Sequence, residues 1–314
     1  MKNIRNILIS IIALVFVSSC QKFSVGEVHG ATEEVRITLN APVLATKAIG
    51  EGENAKMLYY TAFVDGNVVP SLCRTADLDP SGKTVLDMKL VKNVKYRFVF
   101  WAQTPVAEGS PQYYDLSTFY ADSKVKVNYQ VSANDDLRDA FWAVKDVEVN
   151  VEKDVDVKLE RPFAQLNLCS SDYEMVKQLD LHTDMTSEMY VYGLPDVMTL
   201  LDGSVSSSGE AVGVDAYFSP SAIPDGEDEY ITVSNKQYGY VGMNYVLAPE
   251  AGTLVSVKAA YINDATTWET GLLPEVPVKR NFKTNILGEM FVEHGTLTIE
   301  ILPAFKDDEI VVID

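Results

Sequence analysis

Val147-Glu-Val149-Asn-Val151-Glu-Lys-Asp-Val155-Asp-Val157-Lys-Leu159 is the stretch that decides the fold class. Apolar and polar residues alternate one for one, the period of a strand with one buried and one solvated face. Lys153 interrupts the apolar parity, which predicts a hairpin turning at Glu152–Asp154. The same period recurs on both sides of this stretch. Upstream, Val35, Ile37 and Leu39 alternate with Arg36 and Thr38. Leu58, Tyr60, Ala62 and Val64 make a second face, closed by the turn Asp65-Gly66-Asn67. Val125, Val127, Tyr129 and Val131 make another. Around Phe98 both faces are apolar, with Tyr96, Phe98 and Phe100 on one side and Val99 and Trp101 on the other. That strand is expected to be central and covered on both sides.

Downstream, strands are expected at Phe163–Cys169, Glu188–Tyr192, Val214–Phe218, Tyr238–Leu247, Leu254–Ile262, Asn281–Leu287 and Thr296–Leu302. Two short helices are predicted. Asn134 would cap Asp135–Ala140, and Ser171 with Glu174 reads as a capping box for Asp172–Leu179. Short strands separated by Gly, Pro and Asp turns imply an all-β chain built from sandwiches rather than βαβ units. Pro162, which forces an extended residue before it, places the division near Leu159–Pro162. Residues 35–160 and 161–314 then form two β-sandwiches in tandem, each long enough to bury about two-thirds of its unfolded surface.

The N-terminus has a different composition. Lys2 and Arg5 precede an apolar run from Ile7 to Val17, too short for a membrane span but laid out as an export signal. Val17-Ser18-Ser19-Cys20 follows, matching a bacterial lipobox in which Cys20 is acylated and becomes the first mature residue. The alternative is a plain thiol just past an ordinary signal peptidase site. Residues 1–19 are thus expected to be removed, with 20–34 as a lipidated tether and the outer membrane reached through acyl chains. Cys73 and Cys169 are expected to stay unpaired thiols, although an exported compartment permits a disulfide.

Charge and chemistry exclude more than they assign. Among 314 residues, 26 are basic and 45 acidic, a net charge of −19 that argues against a nucleic-acid partner. No Gly-x-Ser-x-Gly elbow, His-Glu-x-x-His pair or phosphate-cradling Gly loop is present. Asp77-Leu-Asp79-Pro-Ser81-Gly82 begins like a calcium loop, but Met88 stands where the bidentate Glu belongs. Asp180-Leu-His182-Thr-Asp184 sets a His between carboxylates and reads as a solvated helix end. Trp101 and Trp142 read as core, whereas Trp268 is the aromatic expected on a loop. No catalytic residue, metal site or cofactor is expected, and the chain is read as a non-enzyme.

Several segments together resemble the fimbrillin-like lipoproteins of Bacteroides-type bacteria, the subunits of type V pili. They are Thr46-Lys-Ala-Ile-Gly50, Tyr96-Arg-Phe-Val-Phe-Trp-Ala102, Asp139-Ala-Phe-Trp142, Arg161-Pro-Phe-Ala-Gln-Leu-Asn167 and Val278-Lys-Arg-Asn-Phe-Lys-Thr-Asn-Ile286. The resemblance implies two transthyretin-like sandwiches, lipidation, transport to the outer membrane and assembly into a fimbrium after proteolysis. It further implies cleavage in the loop after the first strand, loss of that strand, and filling of the groove by a strand of another subunit. The position matching the cleavage site is Lys47 before Ala48, a Lys where the family more often has Arg. The expected donor is the terminal segment Glu309, Ile310, Val311, Val312 and Ile313, with pairing inside its own domain as the alternative. Partners would be other pilus subunits and the membrane. The reading from a different class is a surface lipoprotein that binds a glycan or host ligand and never polymerises.

Overall fold

The computed structural model describes residues 28, 30–41, 54–79, 82–107, 109–150, 153–181, 184–209, 213–223, 230–263, 266–291 and 297–302. It is all-β. Among these residues the helices are two short α segments, Phe119–Asp122 and Tyr173–Gln178, and two 3-10 turns.

Alternation at Thr32–Asn40 places this first strand in a three-stranded sheet, between Lys83–Val91 and Asp154–Lys158. Facing it is a sheet in the order Ala140–Glu148, Lys95–Gln103, Met57–Val64 and Asn67–Val68, with Arg74–Asp77 also on Met57–Val64. Val35, Ile37 and Leu39 from one sheet, with Leu58, Phe98 and Phe100 from the other, share one buried cluster. The odd-numbered side of Lys95–Gln103 belongs to a second cluster, which holds Val99 and Trp101. Lys95–Gln103 is therefore central and covered on both faces, as its two apolar sides require.

The second sandwich stacks a five-stranded sheet on a six-stranded one. The first runs Tyr230–Val233, Lys236–Leu247, Phe163–Ser170, Lys283–Gly288, Leu297–Leu302. The other runs Thr267–Glu269, Thr253–Ile262, Thr186–Leu194, Val214–Ala222, Gln130–Ser132, with Leu273–Val278 also on Thr253–Ile262. Leu168, Val191, Val257 and Ile286 lie together in the cluster between them. A four-stranded sheet of Val205–Ser206, Val197–Thr199, Lys124–Val127 and Tyr114–Asp115 completes the sheets among the described residues. Pairing therefore crosses residue 160: Lys124–Val127 joins Val197–Thr199, and Gln130–Ser132 lies parallel to Val214–Ala222.

Several local expectations are corrected. The stretch from Val147 to Leu159 is no hairpin. Ala140–Glu148 pairs with Lys95–Gln103, while Asp154–Lys158 pairs in parallel with the first strand. Val147 and Val149 on one side of this arch, and Val155 and Val157 on the other, enter the same core from opposite sheets. Alternation reports which face is apolar, and both arrangements satisfy it. Thr32–Glu34, assigned to the tether, belong to the first strand. The helix expected at Asp135–Ala140 shrinks to a 3-10 turn, Asp136–Arg138, capped by Asp135, which accepts from Leu137 N–H. Asn134 instead takes a left-handed φ of 57° and donates to Ser187 and to the carbonyls of Ser221 and Ala222. Tyr173–Gln178 forms without the capping box, since Ser171 Oγ donates to Gly288 O. Trp268 is in the short strand Thr267–Glu269 and packs edge-on against Phe291, at 5.5 Å between ring centroids.

Candidate functional site

The first strand is held along both edges. It runs antiparallel to Lys83–Val91 from Thr32 opposite Val91 to Asn40 opposite Lys83, and parallel to Asp154–Lys158 from Arg36 to Asn40. Backbone bonds continue the ladder past its ends, with Lys92 N–H donating to Ala31 O at 2.8 Å and Ala41 N–H to Gly82 O at 2.7 Å. Gly30 lies so close to the neighbouring strand that a Cβ there would stand 2.7 Å from Val91 Cγ1.

The two faces of the strand differ in chemistry. Val35, Ile37 and Leu39 are 0–1% exposed. On the solvent side, Arg36 Nε donates to Asp87 Oδ1 at 2.9 Å. Near the strand's start, Glu33 meets Lys153 at 2.6 Å and Lys92 at 3.5 Å. The hydrogen bond from Lys153 is the main cause holding the Glu33 carboxyl below its ordinary range. Burying each of the three aliphatic side chains is worth about 1.5–3 kcal/mol, or roughly 5–9 kcal/mol for the three. A whole domain has about 5–15 kcal/mol of net stability. A sheet without this strand would expose an apolar groove between two unpaired edges.

Cys20, Lys47, Ala48 and the segment Glu309 to Ile313 lie outside the described residues, as do His29, His182 and His294. Lys47 belongs to the segment that follows the first strand in the chain. Cys73 and Cys169 are both thiols rather than halves of a disulfide. Cys73 Sγ contacts Thr61 Oγ1 at 3.4 Å, and burial pushes the Cys169 thiol well up. Among the described residues no group of His, Cys, Asp and Glu is arranged to hold a metal ion.

Residues of four of the segments quoted above, 96–102, 139–142, 161–167 and 278–286, come into contact, which their separate positions in sequence did not reveal, while Thr46–Gly50 lies outside the described residues. Arg161 and Asp139 form a salt bridge at 2.7 Å with side chains 1% and 0% exposed. Burial lifts the Asp139 carboxyl to about 6 against the pull of the Arg161 guanidinium. Arg280 lies over the Trp142 ring at 5.3 Å and donates to Ala248 O at 3.2 Å. Asn167 Nδ2 donates to Asn285 Oδ1 at 2.8 Å, and Trp101 packs edge-on against Phe163. The signal that pointed to these residues was their co-occurrence in the segments behind the resemblance.

Comparison with known proteins gives a family. A family model described as a family of unknown function (DUF6562) matches residues 32–313. The chain belongs to this family. The match begins at the first residue of the first strand. No curated protein matches the DUF6562 chain in sequence. Its fold is shared with a candidate cell adhesion protein from Bacteroides ovatus, 13% identical, with a TM-score of 0.50 over 88% of this chain and 100% of that one. The tip fimbrial protein Mfa3 from Porphyromonas gingivalis is also similar, at 10% identity and a TM-score of 0.45 over 86% and 100%. A fimbrial assembly protein from Parabacteroides distasonis is 12% identical, with a TM-score of 0.44 over 90% and 100%. At such identities the likeness concerns the fold.

Proposed function

We propose that this chain is a non-enzymatic subunit of a surface fimbrium, or a pilus-associated lipoprotein, that assembles by exchange of its first strand. The observation that carries the reading is the middle position of Thr32–Asn40 in its sheet, with three buried aliphatic side chains and the Lys47–Ala48 bond beyond its end. In this reading Cys20 carries the lipid that holds the precursor at the outer membrane. Cleavage after Lys47 releases the lipid and the first strand together. The segment Glu309–Ile313 of a neighbouring subunit then adds between Lys83–Val91 and Asp154–Lys158, supplying main-chain bonds and alternate side chains. The chain works as two modules divided near residue 160, 35–160 and 161–314, joined by the strand pairs that cross the division and by the buried Asp139–Arg161 pair. The fold shared with a candidate adhesion protein supports this reading.

Mass spectrometry of the protein from its native surface tests it. A mature N-terminus at Ala48 is expected in polymers, and an acylated Cys20 in monomers. Lys47→Ala should leave lipidated, full-length monomers. Normal polymerisation of that variant would exclude Lys47 as the processing site.

A further inference from the structure

A cavity of about 740 Å³ opens where three of the sheets meet. Tyr59 and Gln103 come from the sheet of the first sandwich, Asp115 and Lys126 from the four-stranded sheet, and Gln130 and Asp215 from the six-stranded sheet. Its size and its place between the two halves are those of small-molecule sites in general.

The wall presents both donors and acceptors. Gln103 is 3% exposed, and its Oε1 is taken by Trp101 Nε1–H at 2.8 Å. Its NH2 makes no hydrogen bond among the described residues and is left as a donor at the cavity wall. The exposed side chains of Gln130 and Asp215 likewise make no hydrogen bond among the described residues. Asp196 is committed to Ser208, accepting from its N–H at 2.6 Å and its Oγ at 2.5 Å, and lies 3.7 Å from Lys126 Nζ. The half-buried Tyr59 adds an aromatic ring.

These groups discriminate among ligands. Three carboxylates, Asp115, Asp196 and Asp215, stand against the single ammonium of Lys126, so an anionic guest meets like charge. A Lys or Arg side chain offers donors and no acceptor, and would leave the Gln103 NH2 and Lys126 unmatched. A sugar hydroxyl both donates and accepts, and a pyranose presents an apolar C–H face to an aromatic ring. We propose that this cavity is a binding site for a neutral saccharide. The site is independent of strand exchange, because its walls are residues that processing after Lys47 leaves in the chain.

The experiment uses the full chain on immobilised oligosaccharides ending in galactose, mannose, N-acetylglucosamine or fucose, beside sialylated counterparts and oligolysine. A neutral glycan should bind and the sialylated forms should not. Asp215→Ala and Gln130→Ala, both at exposed positions and checked by unchanged melting, should each weaken binding about tenfold, the scale of one lost hydrogen bond. Both variants should be processed and polymerise like the parent, so a failure here is distinguishable from failure of the fimbrial reading. The proposal is overturned if no neutral glycan binds, if both variants bind like the parent, if sialylated glycans bind equally well, or if only oligolysine binds.

Discussion

Replacing Ile37 by Ala tests whether the first strand is an integral part of its sandwich. Ile37 is 0% exposed and sits opposite Leu86 on one side and Val155 on the other. Its side chain enters the cluster that contains Leu58, Phe98 and Phe100. Truncation removes the transfer free energy of the lost methyl and methylene groups and leaves a cavity that neighbouring strands, fixed by their own ladders, refill only in part. The expected loss is about 2–5 kcal/mol. Arg36→Ala, one position away, is the internal control. Its pair with Asp87 is exposed at both ends, 58% and 66%, and such pairs contribute about 0–1 kcal/mol. Urea unfolding of the unprocessed chain, followed by tryptophan fluorescence, measures both. Ile37→Ala should shift the midpoint of the first sandwich strongly downward, and Arg36→Ala should barely move it. Equal effects, or a loss below about 1 kcal/mol for Ile37→Ala, would refute the placement of this strand in a packed core.

Three further outcomes are expected. Asp139→Asn should cost about 3–5 kcal/mol, because it leaves the buried Arg161 guanidinium without its counter-charge; a calorimetric change within about 1 kcal/mol would show that the pair is not a staple. Asp146 is held down to about 2, chiefly by the Arg97 hydrogen bond at 2.7 Å, from an ordinary value of 3.8. Its contribution to stability is therefore present above pH 3.8 and lost as the pH falls through about 2, and a carboxyl NMR titration that gave Asp146 an ordinary value would contradict this geometry. Deleting residues 309–314 should give a monomer with near-normal melting that cannot join a polymer, whereas a marked drop in melting would assign the segment to its own domain, and unimpaired polymerisation would rule it out as the donor.

Sequence alone determined the material of this protein. Period-two alternation at 35–39 and 155–159 specifies strands with one buried face, and the doubly apolar run around Phe98 specifies a strand with cover on both sides. These are local properties of the chain, so local pattern suffices. Partner choice is not local. That Asp154–Lys158 leaves its neighbour to lie beside Thr32–Asn40, far away in sequence, follows from closing one core between two sheets, and the alternation is identical in a hairpin and in an arch. The same holds for capping at Asn134, whose side chain found distant backbone acceptors in place of a helix end. Asp139 and Arg161, like Tyr59, Gln103, Gln130 and Asp215, carry no spacing that marks them, because long-range strand pairing alone brings such residues to one place. Tertiary structure decided which strand sits in the middle, and with it which strand leaves a groove when removed.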